Sequence, residues 1–374
     1  MKNTIGNAIE LTIFGESHGP VIGAILDGLP AGFEIDLEKL NHDMDQRRAK
    51  GRISTARHES DQAHFVSGYF EGKTTGTPLT LIIENKAQRS ADYAQLKGRL
   101  RPGHADLAAF ARYGGHQDYR GGGHFSGRLT AAAVAAGAIC RQILAAKGVQ
   151  IGTHILSLHG IEDDPMPFND PDTLLSQIAL LDERDFPVLN EQSADLMRKE
   201  IEAAASEGDS VGGVLQTAVV GLPAGIGEPF FDSCESELAH LLFSIPAVKG
   251  VSFGEGFDFA SLKGSQANDD LKMNGQTITT LSNHNGGLNG GITNGRPVMF
   301  QTVIKPTPSI YQPQPSVDYL KKEDVLLTIT GRHDPAIIHR ARAVVDAMSA
   351  FALLDLWMVR EAEKAFENNQ ETSV

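Results

Sequence analysis

Two cysteines in 374 residues, Cys140 and Cys234, make neither a disulfide framework nor a metal cluster. Cys140 falls in an alanine-rich apolar stretch, where a free buried thiol is the ordinary state. Neither H-E-x-x-H nor C-x-x-C occurs, so a zinc site has no support. The chain also lacks the G-x-x-x-x-G-K-[ST] phosphate loop. Its triple glycine, Gly121-Gly122-Gly123, does not have the spacing of a dinucleotide fingerprint. No apolar run reads as reaching the roughly 20 residues that cross a bilayer. The opening segment MKNTIGNAIELTIFGESHG has no apolar core followed by a small-residue cleavage site. Heptads, fixed-period repeats and low-complexity tracts are missing as well, which excludes a coiled coil and a solenoid. These absences lead us to expect a cytoplasmic protein with no membrane partner and no metal. Without a clean linker, residues 1–374 read as one domain.

What is present begins with charge. The hydrophobic share of 41% and charged share of 21% are ordinary for a globular core. The formal net charge of -14 argues against a nucleic-acid partner. Between Arg47 and Arg128, however, 14 Lys and Arg face 7 Asp and Glu, a local excess of +7 that leaves -21 for the remainder. A basic third inside an acidic chain suggests a focused site for a small anion; the plainer reading scatters these charges over solvated faces.

Residues 8–14 and 21–27 read as strands around Gly15-Glu16-Ser17-His18-Gly19, and Asp36 as the N-cap of a helix leading to Met44. Strands are expected at 65–70 and 78–83, followed by a long irregular stretch from Asn85 to Arg128 dense in Gly, Arg and His. A helix from Thr130 to Lys147, stopped by Gly148, is apolar nearly all round in its first half, which places it between layers. Residues 161–209 read as an acidic elaboration whose second half is a helix capped by Ser193 or Asp195. Strands follow at 211–222 and 298–304, with a helix over 235–243. The last long helix is expected to start at Pro335, with Asp334 as its N-cap, and to run to about Phe366.

The chemistry is concentrated in the glycine-rich loops. His18 sits between glycines directly after a strand, where backbone can approach a ligand and an imidazole can act as an acid near neutral pH. Taken alone, such a histidine is more often structural. Arg101-Pro102-Gly103-His104-Ala105-Asp106 offers a second imidazole beside a guanidinium that can fork onto phosphate, or simply a Pro-Gly turn. Arg47, Arg48, Arg52 and Arg57 supply planar donors suited to phosphate and carboxylate. Asp334 reads locally as a helix cap. Each signal is weak by itself, and one anion site explains their co-occurrence better than four accidents.

In order along the chain stand FGESHG, RPGHAD, DYRGGG followed by S-x-R-x-T and VAAGAI, KPTPS and GRHDP. This set resembles the chorismate synthase family, from about Ile5 to Trp357. The resemblance implies an α+β fold, a β-α-β sandwich with helices packed between antiparallel sheets, and assembly as a homotetramer. It implies removal of phosphate from 5-enolpyruvylshikimate 3-phosphate by 1,4-anti elimination, with reduced FMN as cofactor. His18 would be the acid near the leaving phosphate, His104 would set the flavin's protonation state, and Asp334 would take part in proton removal. Ser17, Arg47, Arg52, Arg101, Arg128 and Arg332 would hold substrate. FMN contacts would fall on His124, Phe125, Ser126, Pro246, Ala247, Gly290, Lys305, Pro306, Thr307, Pro308, Ser309 and Arg332. The chain departs from many members at residues 124–130, where His-Phe-Ser-Gly-Arg-Leu-Thr replaces Arg-Ser-Ser-Ala-Arg-Glu-Thr, and at Pro246 and Asp346. Two other readings stand beside the lyase: a protein of this fold that binds FMN or an anion without turnover, and a flavin oxidoreductase using a nicotinamide donor. The missing dinucleotide fingerprint favours dependence on an external flavin reductase.

Overall fold

The computed structural model describes residues 2–49, 51, 53–54, 61–86, 97–329, 331 and 333–367. Two five-stranded antiparallel sheets enclose a layer of helices. The first sheet orders its strands Thr4–Ile5, Glu10–Gly15, Val21–Asp27, Leu79–Glu84 and Ala63–Ser67. The second runs Val248–Phe253, Val298–Ile304, Gly213–Val220, Gln150–Leu158 and Ile161–Glu162. The helices are α1 (Leu37–Arg47), α2 (Asp106–Tyr113), α3 (Thr130–Ala146), α4 (Pro171–Asp182), α5 (Glu191–Ser206), α6 (Cys234–Ser244), α7 (Gly264–Ala267) and α8 (Ile338–Lys364). The expected α+β sandwich is the observed architecture.

The centre of the sandwich is α3 against α8. Nearly every residue of α3 from Ala131 to Cys140 is buried, as the all-round apolar pattern requires. One face of α3 packs on the first sheet, while α8 packs on both α3 and the second sheet. The two helices meet at Gly137, where an added Cβ would lie 2.4 Å from both the Cβ and the carbonyl oxygen of Ala347. A hydrogen side chain is what lets the axes come this close. By length and composition, residues Gly127–Ala146 could cross a bilayer, against the expectation that no run would. Its setting is nevertheless protein interior: 72% of the window is buried between the layers.

Local chemistry decides the ends. Asp36 caps α1 as expected, accepting from the N–H of Glu38 at 2.9 Å and Lys39 at 3.1 Å. The 161–209 segment holds two helices rather than one, and α5 is capped by Asn190, not by Ser193 or Asp195. Ser193 instead donates to the carbonyl of Glu162 at 2.9 Å, tying α5 back to the sheet edge. The irregular stretch before Arg128 contains α2, stopped by Gly114 at φ 62°. The final helix starts later than expected. The carbonyl of Pro335 accepts from Val211 N–H at 2.9 Å, which commits that peptide to the neighbouring strand, so α8 begins at Ile338. Asp334 is therefore not the N-cap of α8, and its carboxylate pairs with Arg340 instead.

Asp355, buried near the far end of α8, fixes the first loop. It accepts from the backbone N–H of Asn7, Ala8 and Ile9 at 2.7–3.1 Å. Three such donors satisfy a charge that burial would otherwise make costly. This holds Lys2–Ile5 along the rim of the cavity described next.

Candidate active site

A cavity of about 1040 Å³ opens where loops from both sheets meet the N-terminal end of α8. Its wall carries eight Lys and Arg against three Asp, with four His. Arg47, Arg48, Arg101 and Arg128 come from the basic stretch legible in the sequence, while Lys2, Lys249, Lys305 and Arg340 come from outside it; low-dielectric walls strengthen their attraction for an anion. An apolar patch of Leu11, Ile13, Ile337, Val344 and Met348 lines another part. Single-ligand pockets span roughly 300–1,000 Å³. A cavity of this size has room for two small molecules.

Arg47 extends from the last turn of α1. Its Nε donates to Thr130 Oγ1 at 2.8 Å, Nη2 to the Gly127 carbonyl at 2.8 Å, and Nη1 to Asp61 Oδ2 at 3.0 Å. Arg128 reaches Asn85 Oδ1 through Nε at 2.9 Å and donates to the other oxygen of Asp61 through Nη1. Arg101 makes a bidentate pair with Asp106, both bonds at 2.8 Å. Burial pushes the Asp106 carboxyl up, but the bonds from Arg101 outweigh it and hold the group below the usual carboxylate range.

His104, in the turn just before α2, shares a 2.8 Å hydrogen bond with Ser309 Oγ. Burial, followed by the positive charge of Arg101, drives its imidazole down to about 3, so the ring is neutral at physiological pH. Lys305 completes this corner by donating to the Gly103 carbonyl at 2.7 Å. Asp334 pairs with Arg340 Nη1 at 2.5 Å, and Arg340 Nε donates to the Arg47 carbonyl at 2.9 Å. The first turn of α8 is thereby joined to the end of α1.

Ser17 and His18 lie behind the wall rather than on it. The Ser17 hydroxyl donates to the Arg120 carbonyl at 3.1 Å, so its oxygen accepts from His18 Nδ1–H at 3.0 Å. Gly121, at φ 59°, covers both; a Cβ there would meet His18 Cε1 at 2.3 Å and Ser17 Oγ at 2.8 Å. Only glycine allows the cavity wall to lie directly on the imidazole. His124 and Phe125 follow in the same turn, with His124 Nδ1–H donating to the Gly15 carbonyl at 2.8 Å and Phe125 42% exposed.

The cavity therefore gathers Arg47, Arg101, His104, His124, Phe125, Ser126, Arg128, Pro246, Ala247, Lys305, Thr307, Pro308, Ser309 and Asp334. Gly290 and Pro306 are not on its wall. Arg52 and Arg332, with Arg57, lie outside the described residues. Two features agree with a further ligand along the 246–247 and 305–309 loops. Thr307 Oγ1 is buried without a hydrogen-bond partner, and Ala247 holds φ 78°, a conformation that costs a non-glycine residue energy.

A family model described as chorismate synthase matches residues 9–358. The chain belongs to the chorismate synthase family. A protein named chorismate synthase from Thermococcus gammatolerans is 41% identical over 358 residues, 96% of this chain and 98% of that one. One of the same name from Dehalococcoides mccartyi is 42% identical over 357 residues, covering 95% and 96%. A third, from Lachnospira eligens, is 41% identical over 355 residues, covering 95% and 94%. A solved structure titled as a crystal structure of chorismate synthase aligns with TM-score 0.75 at 26% identity, over 95% of this chain and 93% of that one. The chain is an enzyme of this family, a carbon–oxygen lyase acting on phosphates.

Within this cavity, sequence reasoning missed Asp61 and Arg340. Neither belongs to a motif that the sequence singles out. Their spacing from Arg47, Arg128 and Asp334 along the chain gives no signal. RPGHAD did contain Asp106, but not the fact that it neutralises Arg101.

Proposed function

We propose that the chain converts 5-enolpyruvylshikimate 3-phosphate to chorismate by 1,4-anti elimination of phosphate and a ring proton, with reduced FMN as cofactor. The observation that carries this reading is the cavity itself. It joins a strongly cationic wall to an apolar one, in a volume large enough for substrate and flavin together. Two carboxylates and a phosphate call for several guanidinium groups, and Arg47, Arg101 and Arg128 converge there, with Arg52 and Arg332 as further candidates. Phe125, Ser126, Pro246, Ala247 and the 305–309 loop would hold FMN, and the unpartnered Thr307 hydroxyl suits a polar group of that ligand. Bound there, reduced FMN supplies electron density that eases the loss of the allylic phosphate.

The chain's own groups orient, exclude water and move protons. The guanidinium groups stabilise negative charge as the C–O bond breaks, more strongly once water is displaced. His18 would be the acid near the departing phosphate: as an imidazolium whose Nδ1–H stays with Ser17, it would give up its Nε2 proton past the glycine turn that covers the ring. Neutral His104 presents a hydrogen-bonding group to the flavin without adding charge. Asp334, held by Arg340, would take part in removal of the ring proton by way of the flavin.

The remaining expectations extend this reading. The larger core cluster includes buried residues of both sheets and the helices between them, which supports one domain over residues 1–374. Phe230, Phe231 and Phe257 are each more than 80% exposed, which suits burial in a homotetramer. Two free, buried thiols agree with a cytoplasmic location. The glycine run Gly121–Gly123 forms a turn with positive φ at each glycine rather than a strand-to-helix junction. That favours reduced FMN coming from an external flavin reductase.

The test is chorismate formation under anaerobic conditions with photoreduced FMN and no NADPH. Product establishes the lyase reaction with reduced flavin as the sole requirement. Tight FMN binding without product would favour the alternative of a non-catalytic binding protein.

A further inference from the structure

Asp61 stands two residues before the strand Ala63–Ser67 and is 3% exposed. One oxygen accepts from Arg47 Nη1 at 3.0 Å and the other from Arg128 Nη1. The two guanidinium groups come from different parts of the fold, the end of α1 and the turn before α3, and their side chains are only 6% and 4% exposed. Two like charges this close in a nearly dry wall repel and would splay apart. A single carboxylate between them removes that repulsion and fixes both planes. The backbone of Asp61 sits at φ 39°, where a non-glycine residue is disfavoured. The placement is thus maintained against a local cost, as happens where surrounding structure over-determines a functional position.

We propose that Asp61 is a positioning residue of the anion site, a carboxylate bridge that holds Arg47 and Arg128 side by side on the cavity wall before any ligand arrives. With two cations on one carboxylate, the group keeps a net single positive charge for the incoming anion. The bridge orders the guanidinium groups in advance, so that ordering is not charged against ligand binding. The role of Asp61 rests on the reading of this cavity as the site of a phosphorylated, carboxylated substrate. It concerns how the cations are held rather than which reaction follows.

The experiment compares wild type with Asp61→Asn, Arg128→Gln and the double variant, all as full chains. Asparagine matches aspartate in shape but offers one acceptor oxygen, so only one guanidinium can be held. With photoreduced FMN saturating, Asp61→Asn is expected to raise KM for the enolpyruvyl substrate at least tenfold while kcat falls less than threefold. The double variant is expected to be no worse in KM than Arg128→Gln alone, because the carboxylate acts through that arginine. Multiplicative effects, or an unchanged KM in Asp61→Asn, overturn the proposal. Should Asp61→Asn not fold, Asp61→Glu keeps the charge but displaces the bridge by one methylene. A severalfold rise in KM then supports the proposal, and an unchanged KM overturns it. A second readout needs no turnover: inorganic phosphate is expected to raise the melting temperature of wild type and not of Asp61→Asn. Should wild type form no chorismate yet keep this difference, the assigned reaction fails and the bridge stands. Normal wild-type turnover, with equal phosphate responses and equal KM, leaves the reaction and removes the bridge.

Discussion

His104 provides a quantitative check on the electrostatics of the cavity. Its imidazole is driven from 6.5 down to about 3 by burial and by Arg101. Between those two values the unfolded chain carries a proton at this position that the folded chain does not. Stability contributed by the neutral ring is therefore complete above about pH 6.5 and is lost progressively as pH falls toward 3. Lowering the pH from 7.5 to 5.0 crosses about 1.5 units of that window, which corresponds to ~2 kcal/mol. Asp106, whose carboxyl is held below its ordinary range, titrates at lower pH and does not contribute over this interval. The assay is urea unfolding of wild type and of His104→Asn at both pH values. Asparagine keeps a hydrogen-bonding group for Ser309 but does not titrate. Wild type should lose ~2 kcal/mol more than the variant on acidification. A difference below ~0.5 kcal/mol would refute the reasoning, and would mean that the imidazole is better solvated or more closely paired with Asp106 than the geometry indicates.

Other parts of the molecule offer independent tests. Gly121→Ala should lower turnover at least tenfold while the fold persists, because the Cβ must displace His18 or Ser17; normal activity would separate His18 from the reaction. Asp334→Asn and Arg340→Gln should each reduce kcat about tenfold, and the double variant should be no slower than the worse single one, as expected for an interacting pair. Full multiplication of the two losses in steady-state rates would show that they act separately. Gly137→Ala sets two effects against each other: alanine gains about 1 kcal/mol of helix propensity, and overpacking against Ala347 costs about 1–3 kcal/mol. With backbone contacts as short as 2.4 Å the overpacking should win, and a stabilised variant in denaturant unfolding would contradict that. Burial pushes the Cys140 thiol up to about 12 and raises that of Cys234 as well. Neither should react with an aromatic disulfide reagent until the protein is unfolded; modification of the native protein would contradict the buried, free state.

Much of the fold was legible where one physical cause acts locally. The all-round apolar sequence from Thr130 reads as a helix set between layers and is one, and Val298–Ile304 is a strand with the expected bounds. Asp36 caps the helix it precedes by accepting from the N–H groups of Glu38 and Lys39, partners two and three residues away. The errors came where a distant partner intervened. Asp334-Pro335 has the sequence of a helix start, but Val211 binds the proline carbonyl and Arg340 takes the carboxylate. Ser193 could have capped α5, but Glu162 accepts its hydroxyl first.

The cavity divides in the same way. Residue types, glycine-rich loops and the local excess of positive charge were determined by the sequence alone, and they pointed to a small-anion site. Which charges face one another was decided only by the tertiary structure. Asp61 joins Arg47 to Arg128 across turns far apart in the chain, Asp106 neutralises Arg101, and Gly121 brings the cavity wall onto His18. Coulomb and hydrogen-bond energies depend on separation in space, to a fraction of an ångström, and separation along the chain does not encode it.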